Sequence, residues 1–169
     1  MKRNLTLIII LFCFYSIGSA QTEIAKAQSM FVYNFSRLIE WPVANQTGVF
    51  VIGVVGNSAI YGELSSYTAS KKVGAQSIEV VKYNDAENVD KCHILFVPFN
   101  KTSKMEEIVA KVGGNNTLII CEKKGALEAG AAINFVVIGN SLKFELNSAN
   151  ATGKGLKVSS SLQNMAVNN

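Results

Sequence analysis

Short apolar runs alternate with amphipathic segments along most of the chain. Residues 50–55, 92–97 and 117–121 are almost continuously apolar, the pattern of strands that are covered on both faces. Residues 24–40 place apolar side chains three or four positions apart, which predicts a first helix with one buried face. A proline disfavours the α conformation in the residue before it, so Trp41-Pro42 should end this helix.

Further segments extend this alternation of strands and helices. Residues 59–67 predict a second helix, and residues 77–83 predict a strand with partial alternation. Residues 103–112 predict a third helix, because Ser103 followed by Glu106 has the spacing of a capping box. Alternating strands and helices favour right-handed crossovers and a largely parallel sheet with helices on both faces.

The pattern changes near the C-terminus. Residues 132–138 and 142–146 flank Gly139-Asn140-Ser141, which predicts an antiparallel hairpin at the edge of the sheet. A short helix around Ala149 and a closing helix that begins at residues 159–161 should follow. The sequence therefore predicts an α/β fold, a three-layer α/β/α domain with a mostly parallel sheet and a C-terminal antiparallel edge hairpin. The closing helix should turn three apolar side chains inward, Leu162, Met165 and Ala166.

Residues 1–20 have the composition of a bacterial signal peptide. Lys2-Arg3 gives a positive start, residues 5–17 form an uncharged apolar run, and Gly18-Ser19-Ala20 offers the small residues of a signal peptidase site. The run is shorter than the roughly 20 residues of a membrane-spanning helix, and polar residues follow it. We therefore predict a periplasmic protein whose signal peptide is cleaved after Ala20 and which does not span the membrane afterwards.

The remaining residues, 21–169, are predicted to form one α/β domain. A chain of this length can bury a core large enough to fold without disulfides or metals. The formal net charge of +4 falls by two when Lys2 and Arg3 are removed. The other basic residues are scattered, as in the pairs Lys71-Lys72 and Lys123-Lys124, and no aromatic residues are interleaved with them. This pattern argues against a nucleic acid partner.

Two cysteines, Cys92 and Cys121, lie beyond the signal peptide, in a compartment that permits disulfides. Cys92 begins one predicted strand and Cys121 ends another, so on neighbouring parallel strands their sulfur atoms lie at opposite ends. At about 3.3 Å per residue, this separation exceeds the roughly 7 Å between Cα atoms that a disulfide allows. The pattern favours two free buried thiols, and a disulfide between them is the alternative.

The single histidine, His93, is the obvious candidate for catalysis or metal binding. Neighbouring residues on a strand point to opposite faces, so His93 and Cys92 cannot form a dyad. Zinc sites need three or four ligands, and the two thiols and one imidazole of this chain lack the spacing of such a ligand set. We therefore predict a structural His93, no metal, no cofactor and no enzymatic activity. An enzyme that uses carboxylates in an unrecognised arrangement is the alternative.

Three polar residues follow predicted strand ends, where parallel sheets bind ligands. Asn57, Asn100 and Glu122 are therefore candidate ligand contacts, and capping of the loops by their side chains is the alternative. The glycines of GVVGNSAIYG match neither G-x-G-x-x-G nor a phosphate-binding loop with its Lys-Ser/Thr. These features favour a binding protein over an enzyme.

Several short motifs stand in a specific order between about Ala25 and Ala166. They are YNF and IEWP at 33–35 and 39–42, CHILFV at 92–97, INF at 133–135, KFELN at 143–147 and GLKVSSSL at 155–162. Each motif alone is common, but the ordered set resembles the YfiR-like family of periplasmic regulatory proteins.

This resemblance implies a small, often dimeric α/β/α domain with a regulatory, non-enzymatic role. The best-known member restrains a membrane-bound diguanylate cyclase by holding its periplasmic sensor region, under redox control by cysteines. The implied partner is therefore an inner-membrane signalling protein with a periplasmic sensor domain, a diguanylate cyclase or a sensor kinase, in cyclic-di-GMP signalling. This chain lacks the cysteine that pairs, in that member, with the position of Cys92, which argues against redox control by that route.

A second function class stays open beside the regulator. A periplasmic small-ligand or cell-wall-fragment binding protein would use the strand-end loops. A pocket lined by Asn57, Asn100 and Glu122 favours that class, whereas an exposed apolar patch favours a protein partner. Trp41, at the end of the first helix, is a candidate partner contact, and a place in the core is the alternative.

Overall fold

A seven-stranded sheet with helices on both faces dominates the computed structural model, which describes residues 21–168. The predicted signal peptide lies outside the described residues, and within them no helix is both long and apolar enough to cross a membrane. The helices are α1 (residues 21–38), α2 (Ile60–Thr68), α3 (Met105–Lys111), α4 (Ser148–Thr152) and α5 (Ser160–Met165). The strands are β1 (Ile39–Glu40), β2 (Phe50–Val55), β3 (Lys72–Val73), β4 (Gln76–Tyr83), β5 (Ile94–Val97), β6 (Leu118–Cys121), β7 (Ile133–Ile138), β8 (Ser141–Leu146) and β9 (Lys157–Val158).

The sheet is parallel in its centre and antiparallel at both edges. Its spatial order is β3-β4-β2-β5-β6-β7-β8, and the strands from β4 to β7 run parallel to their neighbours. The edge strands β3 and β8 are antiparallel to β4 and β7. The predicted α/β fold, with a mostly parallel sheet and a C-terminal edge hairpin, is confirmed.

Alternate side chains of the central strands enter two separate hydrophobic clusters. In β2, Ile52 and Val54 face the layer that contains α1, α2, α4 and α5, whereas Val55 faces the layer that contains α3. In β5 the same division separates Phe96 from Leu95. Burial on both faces explains why these strands are continuous apolar runs in the sequence.

The β7–β8 hairpin turns in two residues, Gly139 and Asn140. Gly139 has a φ of +60°, a conformation that glycine adopts without steric cost and that suits the first position of a two-residue turn. Ser141, predicted as part of the turn, instead pairs with Ile138 as the first residue of β8.

The first helix ends earlier than the proline pattern predicts. Helical structure stops at residue 38, because Ile39–Glu40 form β1 and pair with Lys157–Val158 of β9. The predicted extension of the helix to Glu40 is therefore wrong. A strand that pairs with residues more than a hundred positions away leaves no local signal. The exposed Glu40–Lys157 ion pair, at 3.1 Å, adds little to this pairing in water.

The third helix begins later than predicted. Residues Phe99–Lys104 form a 3₁₀ helix, in which the Thr102 hydroxyl donates to the carbonyl of Phe99 at 2.8 Å. Helix α3 starts at Met105, and Lys104 before it supplies no side-chain cap. The prediction of Ser103 as an N-cap is wrong, because Ser103 lies inside the 3₁₀ segment.

The closing helix α5 begins where predicted and ends early. The Ser159 hydroxyl accepts the backbone N–H of Leu162 at 3.2 Å, as an N-cap does. Leu162 is fully buried, but Met165 is 47% exposed, so its predicted inward position is wrong. Met165 is the last residue of a six-residue helix, and its side chain lies beyond the core. Ala166 is partly buried against the core.

Cys92 and Cys121 are free and buried. The parallel register pairs Cys121 with Val97. Cys92 precedes Val97 by five residues, about 16 Å of extended strand, so the favoured prediction of two free thiols holds. The Cys121 thiol lies 3.4 Å from the sulfur of Met105.

We expect both thiols to resist alkylation while the protein is folded. Burial raises the pKa of Cys92 and of Cys121 to about 12, so the reactive thiolate is almost absent at neutral pH. A maleimide reagent should label neither residue in native protein and both in denaturant, as read by intact mass. Equal mass shifts with and without a reductant would support free thiols, whereas a mass two units lower before reduction would contradict them.

Candidate functional site

The order of the strands creates a crevice between β2 and β5. The parallel strands β2, β4, β5, β6 and β7 are the first to fifth in chain order, and across the sheet they lie in the order 2-1-3-4-5. The first and third of them, β2 and β5, are therefore neighbours whose connections leave towards opposite faces of the sheet. After β2 the chain enters α2 on the α1 side of the sheet, and after β5 it enters α3 on the other side. Sheets of this type bind ligands at the carboxyl ends of such strands.

The turn after β2 depends on a glycine. Gly56 has a φ of +72°, and its N–H donates to the carbonyl of Tyr83 at 2.7 Å. The positive φ is what favours glycine here, because a β-carbon would meet only the flexible side chain of Lys101, with Cε at 2.7 Å. Asn57 and Ser58 follow at the mouth of the crevice. The Ala59 position at the start of α2 provides no side-chain cap.

Glu122 joins three parts of the site just after β6. Its Oε1 atom accepts the backbone N–H of Phe99 at 3.0 Å, and its Oε2 atom accepts the side-chain amide of Gln28 at 2.7 Å. Gln28 is only 4% exposed and lies on α1, whereas Phe99 begins the 3₁₀ helix after β5. These two hydrogen bonds fix the orientation of the carboxylate.

The three sequence-predicted ligand residues line one cleft. Asn57, Asn100 and Glu122 come from three different loops and meet in a space of about 390 Å³, within the range of small-molecule sites. Sequence reasoning missed the contribution of α1, which adds Gln28 and the 42% exposed Ile24. The remaining lining residues are Gln21, Ala25, Ser58, Ala59, Ile60, Pro98 and Phe99.

A second cleft lies beside the β3–β4 turn. Its volume is about 560 Å³, and its wall includes Ile39, Trp41 and Phe50. The amide of Gln76 in this wall already donates to the carbonyl of Thr47 at 3.0 Å. None of the residues that the sequence predicts as ligand contacts lies here. The cleft lined by Asn57, Asn100 and Glu122 at the carboxyl ends of β2 and β5, the switch-point cleft, is therefore the better candidate, although it is smaller.

Trp41, the candidate partner contact, lies in the core. Its side chain is 4% exposed, packs edge-to-face on Phe50 with ring centres 5.0 Å apart, and donates from Nε1 to the carbonyl of Asn116 at 2.9 Å. A buried tryptophan whose N–H is satisfied contributes mainly to packing. With 4% of its surface exposed, the Trp41 side chain has little area with which to contact a partner protein in this structure.

His93 joins the backbone of two segments. Nδ1 accepts the N–H of Val51 at 3.0 Å, and Nε2 lies 2.9 Å from the carbonyl of Asn45, so the ring must be neutral and protonated on Nε2 to make both bonds. The ring stacks on Phe50 at 4.4 Å between centres. Desolvation lowers the pKa of His93 below its ordinary value. Across residues 21–168, no three His, Cys, Asp or Glu side chains form a group that could hold a metal ion.

Comparison with known families agrees with this picture. A model of YfiR/HmsC-like proteins matches residues 25–167. The chain belongs to the YfiR/HmsC-like family. The match covers most of α1, the whole sheet and α5, so the resemblance that the ordered motifs suggest is confirmed.

Two solved structures share the fold of this YfiR/HmsC-like chain. One is a conserved domain protein from Vibrio cholerae o1 biovar eltor str. n16961, with a TM-score of 0.57 and 14% identity over 82% of this chain and 58% of that chain. The other is an ABC domain from Streptococcus pneumonia in complex with L-Trp, with a TM-score of 0.52 and 13% identity over 70% of this chain and 54% of that chain. This chain spans little more than half of each, and such identities show the fold alone.

The sequence is also similar to a ribosomal protein. Large ribosomal subunit protein bL21 of Mycoplasma capricolum is 27% identical over 101 residues, which cover 60% of this chain and 100% of that protein. At this identity the similarity does not assign the chain to the family of that protein.

The YfiR/HmsC-like INF and KFELN motifs hold the C-terminal hairpin to the rest of the sheet. Asn134 is fully buried; its Oδ1 accepts the N–H of Lys123 at 2.8 Å, and its Nδ2 donates to Glu145 at 2.9 Å. Asn147 caps α4 by accepting the N–H of Asn150 at 3.1 Å. These bonds give both asparagine side chains a structural role.

Replacing Asn134 with alanine should lower the free energy of unfolding by about 1–3 kcal/mol, because the N–H of Lys123 loses its acceptor and the Glu145 carboxylate loses a donor. Urea unfolding followed by circular dichroism measures this change. Asn140→Ala, in the exposed hairpin turn, is the matched control and should shift stability by less than about 0.5 kcal/mol. Equal effects of the two substitutions would contradict the role of Asn134.

Proposed function

We propose that this protein is a periplasmic regulator of cyclic-di-GMP signalling that binds the exported sensor region of an inner-membrane signalling protein. A diguanylate cyclase is the first partner to test and a sensor kinase is the second. The match to the YfiR/HmsC-like family over residues 25–167 carries this proposal, because the members of that family are regulators rather than enzymes. The signal peptide predicted at residues 1–20 supports the periplasmic location.

The reactive side chains of the described residues support a regulatory role without chemistry. Both ring nitrogens of His93 are engaged with backbone groups, so the ring is not free to act as a base. The thiols of Cys92 and Cys121 are buried and have raised pKa values, which disfavours a nucleophilic thiolate. Glu122 is the one carboxylate among the described residues of the cleft wall, and both of its oxygens accept hydrogen bonds.

The C-terminal hairpin is the surface on which we expect the partner protein to dock. Val137 and Ile138, at the end of β7, are 60% and 55% exposed. They adjoin β8, the edge of the sheet, and exposed apolar side chains beside a sheet edge are typical of protein contacts. Val137→Glu should therefore weaken partner capture, whereas Val43→Glu, at an 81% exposed position in another segment, should not.

The cellular level of cyclic-di-GMP tests the proposal in the native host. Deleting the gene should release the cyclase and raise the level, and expression of the exported protein should lower it again. A version without residues 1–20 is the control, because it stays in the cytoplasm and should not complement. An unchanged level after deletion, with normal expression of the wild-type protein confirmed beforehand, would contradict regulation of a cyclase.

A small-ligand or cell-wall-fragment binding protein is the second candidate function. The convergence of Asn57, Asn100 and Glu122 on one cleft is the observation that favours it. Binding of a ligand there and regulation of a partner are compatible, because a ligand that prefers one state of the protein shifts its population. The homodimer that the family resemblance implies stays a prediction.

A further inference from the structure

We propose that an extended segment of the partner protein docks by adding a strand to the edge of β8, beside Leu142. This inference rests on the proposed function, binding of an inner-membrane signalling protein, and it names the kind of segment that the partner supplies. Three features carry it: backbone groups that face outward from β8, a contact that the C-terminal residues already make with the same edge, and apolar side chains next to the open part.

Alternate residues of β8 direct their backbone groups away from β7. The carbonyl of Phe144 accepts the N–H of Val167 at 3.0 Å. The N–H of Leu146 donates to Oδ1 of Asn168 at 2.8 Å, and the carbonyl of Leu146 accepts from Nδ2 of Asn168 at 3.1 Å. Neighbouring residues of an antiparallel strand alternate between its two sides. Leu142, two residues before Phe144, therefore also directs its N–H and its carbonyl to the outer edge.

The two backbone groups of Leu142 have no hydrogen-bond partner among residues 21–168. β8 is the last strand of the seven-stranded sheet, and no loop or terminal segment of the described chain bonds to Leu142. From Val167 to Asn168 the chain follows the edge from Phe144 towards Leu146, which leads it away from Leu142. The first half of the β8 edge is therefore open to another strand.

The second half of the same edge already holds strand-like contacts. Val167 contributes a backbone N–H, and the Asn168 side chain presents an oxygen and an amide to one residue, as a neighbouring strand does. An extended segment beside Leu142 would continue this row of hydrogen bonds along β8. Such addition of a strand to a sheet edge is a general mode of peptide recognition.

Apolar side chains lie next to the open backbone groups. Val137 is 60% exposed and lies directly opposite Leu142, so both side chains point to the same face of the hairpin. Leu142 is partly buried against the hydrophobic cluster on the α1 side of the sheet. An added strand with apolar side chains at alternate positions can cover Val137 and Leu142 while its backbone bonds to β8.

The end of the hairpin is accessible to such a segment. β7 pairs with β6 only at Ile133 and Asn134, so the rest of the hairpin continues past the end of β6. An exposed apolar patch by itself would suit a helix as well as a strand. An outward N–H and an outward carbonyl on one residue favour a strand, because an extended backbone offers both partners at the required spacing.

Two substitutions at Leu142 separate its backbone from its side chain. Leu142→Ala and Leu142→Pro both remove the leucine side chain, but only proline removes the N–H and places its ring at the edge. Proline is tolerated on an edge strand where the N–H faces solvent, so both variants should fold. Each exported variant is expressed at graded levels in the native host that lacks the gene, and its amount and the cellular level of cyclic-di-GMP are measured.

We expect Leu142→Pro to need at least about tenfold more protein than Leu142→Ala for the same reduction of cyclic-di-GMP, because one hydrogen bond to the added strand is lost and the ring opposes its approach. Equal requirements of the two variants would show that only the side chain matters and would overturn the strand addition.

Melting temperatures of the purified exported variants test which N–H groups face outward. Leu142→Pro should melt close to Leu142→Ala. Lys143→Pro should melt much lower than both, because the N–H of Lys143 faces β7 and belongs to the hairpin ladder. A Leu142→Pro protein as unstable as Lys143→Pro would show that the N–H of Leu142 is not free, and the proposal would be wrong.

The remaining outcomes distinguish the occupant of the edge and the proposal on which this one rests. If light scattering shows a dimer of the purified protein that Leu142→Pro dissociates, a second copy occupies the edge and the proposal is wrong. If the wild-type protein does not lower cyclic-di-GMP, the regulation of a cyclase fails and this inference fails with it. If the wild type and both Leu142 variants lower it at equal amounts, the regulator stands and only the strand addition fails.

Discussion

Replacing Phe35 with alanine should lower the free energy of unfolding by about 3–5 kcal/mol. Phe35 is 1% exposed and lies where α1 packs on the β7–β8 hairpin. Its ring centre is 5.0 Å from that of Phe144 and 5.9 Å from that of Phe135. The substitution therefore leaves a cavity between a helix and a sheet and removes two aromatic contacts, which add to the loss of buried area.

Chemical denaturation of the variant and the wild type measures this effect. Phe99→Ala removes the same number of atoms from a ring that is 63% exposed, and it should change stability by no more than about 0.5 kcal/mol. Because α1 also carries Gln28, loosening of the helix in Phe35→Ala should weaken any ligand binding at Glu122. Similar losses of stability in the two variants would contradict the packing of α1 described above.

Acidification should destabilise the protein through His93. Desolvation lowers the pKa of the folded His93 below the ordinary value of 6.5, so the unfolded chain binds this proton more readily than the folded one. The stabilising effect is complete above about pH 6.5 and is lost as the pH falls towards the lowered pKa. Protonation also removes the acceptor for the N–H of Val51, at 3.0 Å.

Urea unfolding between about pH 7.5 and 5.5 tests this dependence above the range in which most carboxylates titrate. His93→Ala should cost about 2–4 kcal/mol at neutral pH, because it leaves the Val51 N–H without its acceptor and removes the stack on Phe50. The stability of that variant should change less with pH than that of the wild type. An equally steep pH dependence in both proteins would show that another group is responsible.

Most helices and strands can be predicted from local sequence patterns, because burial on one or two faces is a local constraint. The runs around Ile52, Phe96 and Ile120 are strands, as predicted, since their residues enter both hydrophobic clusters. The prediction errors lie where contacts beyond the local sequence determine the backbone conformation. Ile39–Glu40 leave the helical pattern because they pair with β9, and Ser103 is inside a 3₁₀ helix although its spacing to Glu106 fits a cap.

The candidate site could be predicted only in part. Residues that follow parallel strands must meet at one edge of the sheet, which is why Asn57, Asn100 and Glu122 could be named together. The contribution of α1 depends on how the helix crosses the sheet, which no local pattern encodes. Gln28 does leave one signal, since it lies four residues after Ile24 and seven before Phe35, at the spacing of apolar residues in α1.

In-cell crosslinking tests the central claim, that the exported protein binds an inner-membrane signalling protein. The tagged full-length protein is crosslinked in its native host and recovered from the envelope, with a version lacking residues 1–20 as control, and enriched proteins are identified by mass spectrometry. We predict the recovery of a membrane protein with a periplasmic sensor region, reduced by Val137→Glu but not by Val43→Glu. Recovery of the protein alone, from cells that contain it in the periplasm, would contradict the regulator and favour the ligand-binding function.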